Sequence, residues 1–216
     1  INIKKDKKHL KNINGSDFCV TENDYIIAIY HSVTTDIEKC IENYTIYIKT
    51  LIKIKKKILF FYPNIDNGSK KMIKIKNNLI GKNDFFLKIK TLEFDKYISL
   101  LNYSACIVGN SSSGIREACV LGIPAISIGY RQNNRVISNN TIILEELTEK
   151  SFEIALNTIY GKKFEKDYLY GNGDFLKKFK LFLDKIKYKY KEKKFNILEN
   201  IKYTYKEKEF NKIKNN

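Results

Sequence analysis

The stretch that decides the fold reads Ala105-Cys-Ile-Val-Gly-Asn-Ser-Ser-Ser-Gly-Ile-Arg-Glu117. Its first four residues form a short apolar run suited to a buried strand, Gly109 to Gly114 have the composition of a tight turn, and a helical pattern runs from Gly114 to Leu121. This order suits an anion. Unpaired N–H groups in the first helical turn, the positive helix end and the hydroxyls of Ser111, Ser112 and Ser113 converge on a phosphate. Glu117, in the same helix, is placed to accept hydrogen bonds from ribose hydroxyls beside it, as an acid does in dinucleotide sites. The serines could instead cap the helix without a ligand; three in a row after Gly-Asn at a strand end favour a binding loop.

Outward from this segment, short apolar runs alternate with longer amphipathic ones. Tyr25 to Tyr30 precedes Thr35 to Lys55, Ile58 to Tyr62 precedes Ser69 to Leu79, and Phe85 to Ile89 precedes Phe94 to Asn102. Ala125 to Ile128 then leads through a loop to Thr141 to Leu144. Continuous apolar strands separated by helices of this length predict parallel βαβ units, hence an α/β fold with a doubly wound, Rossmann-like parallel sheet. In such a sheet the ligand crevice lies outside the carboxyl ends of the strands, so the polar residues after each strand carry the function.

Three further loops meet that criterion. Tyr30-His-Ser-Val-Thr-Thr-Asp36 offers His31 as a donor to a diphosphate or a general acid, because an unperturbed imidazole titrates near neutrality. Thr34 in the same loop is read as the cap of the helix that follows. Phe61-Tyr-Pro-Asn-Ile-Asp-Asn-Gly-Ser69 offers Asn64 and Asp66 to sugar or phosphate, or to an Asx-turn. Gly129-Tyr-Arg-Gln-Asn-Asn-Arg135 carries Arg131, whose planar guanidinium suits bidentate phosphate contact, in a chain that otherwise uses lysine; a surface salt bridge is the alternative.

At 216 residues, 43% hydrophobic and 13% aromatic, the chain can bury a sizeable core and fits one domain plus an appendage. Residues 1–23 read as a linker or truncated connection, 24–190 as the α/β domain, and 191–216 as a charged tail with little capacity to pack. Within the domain, Leu176, Phe179, Phe182, Leu183 and Ile186 recur at helical spacing and predict a packed helix over Phe175 to Tyr190. Ile1 in place of Met is read as the start of a fragment or processed piece. Lysines interrupt every apolar run before it reaches membrane-spanning length, which predicts no membrane segment. The four cysteines and two histidines share no metal-ligand spacing, so no metal is expected; Cys106 and Cys119 read as buried reduced thiols, in keeping with a cytoplasmic protein. The net charge of +16 follows Lys, Asn, Ile and Tyr usage of the AT-rich kind, and without an Arg-rich stripe or nucleic-acid module it does not make nucleic acid a partner.

Taken in order, the four loops resemble the C-terminal domain of hydrolysing UDP-N-acetylglucosamine 2-epimerases. That family carries His-Pro-Val-Thr-Thr where this chain has His31 to Thr35, Pro-Asn-x-Asp-x-Gly-Ser at Pro63 to Ser69, Gly-Asn-Ser-Ser-x-Gly-x-x-Glu at Gly109 to Glu117, and Gly-x-Arg-Gln-x-x-Arg at Gly129 to Arg135. A weaker match, Tyr170-Gly-Asn-Gly173, resembles the turn before its last helix. The likeness is greatest to the epimerase half of the bifunctional epimerase/N-acetylmannosamine kinase. Non-hydrolysing relatives carry a Gly-Gly loop where this chain has Ser111 to Ser113.

The resemblance implies the C-terminal half of a two-domain GT-B arrangement with no cofactor. UDP-N-acetylglucosamine, or UDP, would be held mainly by this half, in an intact enzyme that is a homo-oligomer and belongs to sialic acid or related amino-sugar biosynthesis. By the same likeness Ser111 and Ser112 hold the diphosphate, Glu117 the ribose, Asn64 the substrate or UDP, and backbone near Leu92 the uracil, while His31 and Arg131 stabilise departing UDP. The N-terminal domain that supplies the proton-abstracting acids is missing from this chain, so the fragment alone is expected to bind UDP without turnover. Ser32 in place of the family's proline predicts a looser His31 loop. Lys74 and Asn77 stand where the bifunctional branch has arginines that take part in feedback binding of CMP-sialic acid. The other readings are another GT-B nucleotide-sugar enzyme, such as a glycosyltransferase or a non-hydrolysing epimerase, and a degenerate basic binding module.

Overall fold

The computed structural model of the protein describes residues 18–185. In chain order the elements are β1 (Tyr25–Ile29), α1 (Ile37–Lys53), β2 (Lys57–Phe61), α2 (Ser69–Ile80), β3 (Phe86–Ile89), α3 (Phe94–Tyr103), β4 (Cys106–Gly109), α4 (Glu117–Leu121), β5 (Ala125–Ile128), β6 (Thr141–Leu144), α5 (Glu149–Ile159) and α6 (Phe175–Lys185). The six strands form one sheet in the order β3-β2-β1-β4-β5-β6, and every pairing is parallel. This is the doubly wound, Rossmann-like arrangement that the alternating pattern predicts.

Its cause is visible in β1. All five of its residues are buried, as a strand covered on both faces requires. Ile26 and Ala28 join a cluster with Tyr44, Tyr47 and Leu51 of α1 and Phe152 of α5. Tyr25, Ile27 and Ile29 join the opposite cluster, with Ile98 and Leu101 of α3 and Ala118 and Leu121 of α4. Period-two alternation therefore distributes one apolar strand between two cores. Tyr47 centres the first, its ring 5.3 Å from Tyr30 and 6.0 Å from Phe152 while its hydroxyl donates to Val108 O at 3.0 Å.

Strand order reverses between β1 and β4, with Ile29 paired to Gly109. The carboxyl ends of these strands thus open the crevice, and the loops at His31 and Asn110 meet there.

Two local expectations are corrected. α1 starts at Ile37 and is capped by Asp36, whose carboxylate accepts from Lys39 N at 3.1 Å, rather than by Thr34; the acid also complements the positive helix end. The helix expected from Gly114 is divided into a 3-10 turn over Ser112–Gly114 and the five-residue α4 beginning at Glu117. Ser111 Oγ accepts from Ser113 N at 3.3 Å, and this local bond holds the chain in the tighter turn.

Residues up to Phe175 form one unit, and Leu176 begins a second. α6 forms where the spacing predicts, and none of its described residues is buried. Phe179 and Phe182 stack on each other within it, 6.5 Å between centroids. Ile186, the remainder of the helix expected to Tyr190, the charged tail and residues 1–17 of the expected linker lie outside the described residues. Val20 is buried against the second core cluster. Cys106 and Cys119 are buried free thiols, as expected, and burial pushes the Cys106 thiol up. No helix among the described residues is long and apolar enough to cross a membrane.

Candidate functional site

Asn110, fully buried at the end of β4, organises the crevice. Its side-chain oxygen accepts from His31 N at 2.7 Å, and its side-chain nitrogen donates to His31 O at 2.8 Å. Its backbone carbonyl accepts from Arg131 Nη1 at 3.1 Å and from Gln132 Nε2 at 2.7 Å. One residue thereby fixes the β1, β4 and β5 loops relative to one another. The motif contains this asparagine, yet the sequence alone assigns it no role; an amide directly after a strand-ending glycine is the available signal.

A cleft of about 330 Å³ opens beside it, lined by His31, Asn64, Leu92, Ser111, Ser112 and Glu117 among others. Six of the seven residues singled out in the sequence therefore meet in one place, drawn from four different loops and one helix. The seventh, Arg131, is held against Asn110 between the His31 and Ser111 loops rather than in the cleft lining. The volume falls in the ordinary small-ligand range of roughly 300–1,000 Å³.

The serines divide by burial. Ser111 and Ser112 are half-buried, whereas Ser113 is buried and its hydroxyl shares a hydrogen bond with Tyr97 OH. The amides of Gly114, Ile115 and Arg116 donate to Ser111 O and Ser112 O within the turn. These three amides are therefore occupied within the turn, and the half-buried Ser111 and Ser112 line the cleft beside it. Tyr97, unremarked in the sequence, links α3 to this turn.

Ser32 tightens its loop, contrary to the expectation drawn from the missing proline. It is buried, and its hydroxyl donates to Asn67 O in the loop after β2. A proline has no such donor. Gly68, at φ +88°, passes so close that a Cβ there would lie 2.9 Å from Ser32 Oγ. Ser32→Ala is expected to cost about 1–2 kcal/mol, by leaving the Asn67 carbonyl without this partner, and to weaken ligand binding through Asn64. Denaturant unfolding and calorimetry test the two parts; an unchanged unfolding midpoint would contradict the assignment.

Asn64 N donates to His31 Nδ1 at 3.2 Å, which places the proton of the neutral ring on Nε2. Burial, then the neighbouring Arg131, lowers the imidazole pKa to about 4, against an opposing pull from Asp66. His31 is thus a neutral Nε2–H donor at neutral pH, which corresponds to the donor role among the two that its loop offers. Arg131 is itself shifted down by burial, with Arg135 adding to the effect and Asp66 opposing it; a guanidinium remains charged regardless. The weaker motif also has a place. Tyr170 donates to Val136 O at 2.6 Å and lies under the Arg116 guanidinium, 5.7 Å from it, which ties the 170–173 turn to the loop after β5 and to the residue before Glu117.

Fold and cleft together define a doubly wound α/β domain with its crevice at the switch point. The family model described as UDP-N-acetylglucosamine 2-epimerase matches residues 2–183, and the chain belongs to that family. It is 32% identical over 151 residues to the UDP-N-acetylglucosamine 2-epimerase of Neisseria meningitidis serogroup B, covering 70% of this chain and 40% of that protein. It is 28% identical over 148 residues to the hydrolysing GDP/UDP-N,N'-diacetylbacillosamine 2-epimerase of Campylobacter jejuni, covering 68% of this chain and 38% of that one. The structure of UDP-GlcNAc 2-epimerase from Methanocaldococcus jannaschii superposes with a TM-score of 0.58 at 19% identity, over 76% of this chain and 46% of that one. The chain therefore spans about two fifths of the length of these curated relatives, and its fold is that of one half of a GT-B arrangement.

Proposed function

We propose that this chain is the UDP-binding half of a hydrolysing UDP-N-acetylglucosamine 2-epimerase, which converts UDP-N-acetylglucosamine and water into N-acetylmannosamine and UDP. The observation that carries the reading is the convergence of His31, Asn64, Leu92, Ser111, Ser112 and Glu117 on one cleft at the switch point. The Ser-Ser-Ser-Gly form of the turn, in place of a Gly-Gly loop, favours the hydrolysing branch, and relatives in Campylobacter jejuni and Legionella pneumophila carry that description. Sialic acid or related amino-sugar biosynthesis in the cytoplasm is the setting, and the intact enzyme is a homo-oligomer.

Ser111 and Ser112 donate to the diphosphate, Glu117 accepts from the ribose hydroxyls, Asn64 contacts the nucleotide sugar, and backbone at Leu92 reads uracil. The C1–O bond breaks as the C2 proton leaves to an acidic group of the other half, and water then adds to the sugar. Negative charge builds on departing UDP in that step, so donors fixed before reaction lower its barrier. The Nε2–H of His31 and the Arg131 guanidinium supply them. An arriving diphosphate also favours imidazolium, at the cost of the bond from Asn64 N to Nδ1, so a larger fraction of His31 carries a transferable proton once substrate is bound.

UDP is expected to raise the thermal midpoint of the chain, and Glu117→Ala to abolish that protection while leaving the ligand-free midpoint within about 1 kcal/mol of stability. Equal protection of the variant would defeat the site assignment. Assaying N-acetylmannosamine with free UDP in a two-domain protein that joins this half to a relative's other half, in the absence of an acceptor sugar, tests the reaction itself; UDP release only with an acceptor would identify a glycosyltransferase.

A further inference from the structure

A lysine is buried beneath the cleft. Lys76 lies on the core-facing stripe of α2, with Met72 before it and Ile80 after it, and it has no solvent exposure. Its ammonium meets no acceptor at ordinary hydrogen-bond geometry, and the Tyr62 hydroxyl is the polar group it draws on. It lies over the ring of Tyr62, 3.6 Å from the centroid. A fully desolvated ammonium is costly, and an aromatic face offsets only part of that cost. The positive charge is therefore incompletely balanced within the fold, and Tyr62 stands between it and the cleft.

Tyr62 follows β2 and lines the cleft with His31 and Asn64 on one side and Lys90 and Leu92 on the other. Lys76, with Lys88 and Lys90 contributing less, draws the phenol below its ordinary range. Tyr44 of α1 also faces it, its buried hydroxyl carrying no charge to offset the lysines, while His31 and the Glu117 carboxylate line the same cleft. The lysines beside the phenol make its hydroxyl a stronger donor and a poorer acceptor.

We propose that Tyr62 is a further ligand-binding residue of this cleft, its hydroxyl donating to an anionic phosphate oxygen of the bound nucleotide sugar, with Lys76 as the positioning residue that holds the ring and supplies charge behind it. The proposal rests on the nucleotide-sugar reading of the same cleft. It adds a donor that reaches the diphosphate from the β2 side, opposite the serines of the β4 loop. It also accounts for a lysine on an otherwise core-facing stripe.

The test uses the 216-residue chain and two near-isosteric variants, Tyr62→Phe and Lys76→Met. Calorimetry with UDP-N-acetylglucosamine is expected to show about five- to tenfold weaker binding for Tyr62→Phe, the loss of one charge-assisted hydrogen bond. Lys76→Met should weaken binding by a smaller factor, and the double variant should bind as Tyr62→Phe does, because Lys76 acts through the hydroxyl. Absorbance titration of tyrosine ionisation gives a second readout. Because Lys76 draws the Tyr62 phenol below its ordinary range, the difference titration against wild type should show one low-lying phenol lost in Tyr62→Phe and moved to higher pH in Lys76→Met.

Wild-type affinity in Tyr62→Phe, with binding still lost in Glu117→Ala, would overturn this proposal and leave the nucleotide-sugar reading standing. Absence of UDP-N-acetylglucosamine binding in the wild type would overturn both. Unchanged binding and unchanged tyrosine titration in Lys76→Met would reduce that lysine to core filling and overturn its part.

Discussion

Gly109→Ala is expected to abolish folding or to cost more than about 4 kcal/mol, the range reached only when a substitution meets a named steric or strain mechanism. Two such mechanisms coincide here. Gly109 has φ +132°, a conformation that side chains with a Cβ rarely adopt. A Cβ at this position would also lie 1.8 Å from Ile29 O and 2.6 Å from Ile29 C. Those atoms belong to the paired central strand, so no rotamer change relieves the overlap. The strands would have to part at the switch point, and the bond from Asn110 N to Ile29 O at 3.1 Å would go with them.

Gly129→Ala provides the control. Gly129 also has a positive φ, +71°, but a Cβ there meets nothing within 4 Å. Its cost should be confined to backbone strain, of order 1–3 kcal/mol. Denaturant unfolding of both variants separates close approach from strain. A Gly109→Ala chain with the midpoint of Gly129→Ala would show that the β1 and β4 backbones do not approach as described.

Gly109 also shows what the sequence makes readable. A glycine ending an apolar run marks a turn after a strand, and six such runs in alternation with amphipathic stretches are enough to predict the parallel sheet and the side on which its crevice opens. Position after a strand then marks the loops of His31, Asn64, Ser111 and Ser112, with Glu117 in the helix that follows, whereas Leu92 enters only through the family resemblance; all six line one cleft. Features that depend on tertiary partners are harder to read. The 3-10 turn at Ser112–Gly114 depends on which serine bonds the backbone, and helix spacing carries no such information. Ser32 looked like the loss of a rigid proline because its acceptor, Asn67 O, lies 35 residues away. Lys76 is the clearest case: charge suggests a solvated face, while its place between Met72 and Ile80 suggests the core. The apolar stripe wins, and an aromatic ring receives the ammonium.

His31 supplies the second large expected effect. Burial and then Arg131 disfavour the charged ring and lower its pKa to about 4. An unfolded imidazole titrates near 6.5, so between these values the unfolded chain binds more protons, and the ligand-free domain should lose stability as pH falls through about 6.5 toward 4. Ligand binding carries the opposite sign. A diphosphate beside His31 favours imidazolium and raises its pKa in the complex, so the complex binds more protons than the empty domain. Affinity should then increase as pH falls below the pKa of the complex, with a limiting slope of about tenfold per pH unit for one proton taken up. UDP-N-acetylglucosamine is the ligand to use, since its diphosphate has no monoester ionisation near neutrality, whereas UDP's own titration would overlay the effect. Calorimetry from pH 8 to 5, repeated in buffers of different ionisation enthalpy, reads the affinity and the proton count together. His31→Asn keeps an N–H donor but removes the titration, and its affinity should vary far less over this window. Equal pH slopes in the wild type and His31→Asn would place the diphosphate away from His31, and with it would fall the role of His31 in stabilising departing UDP.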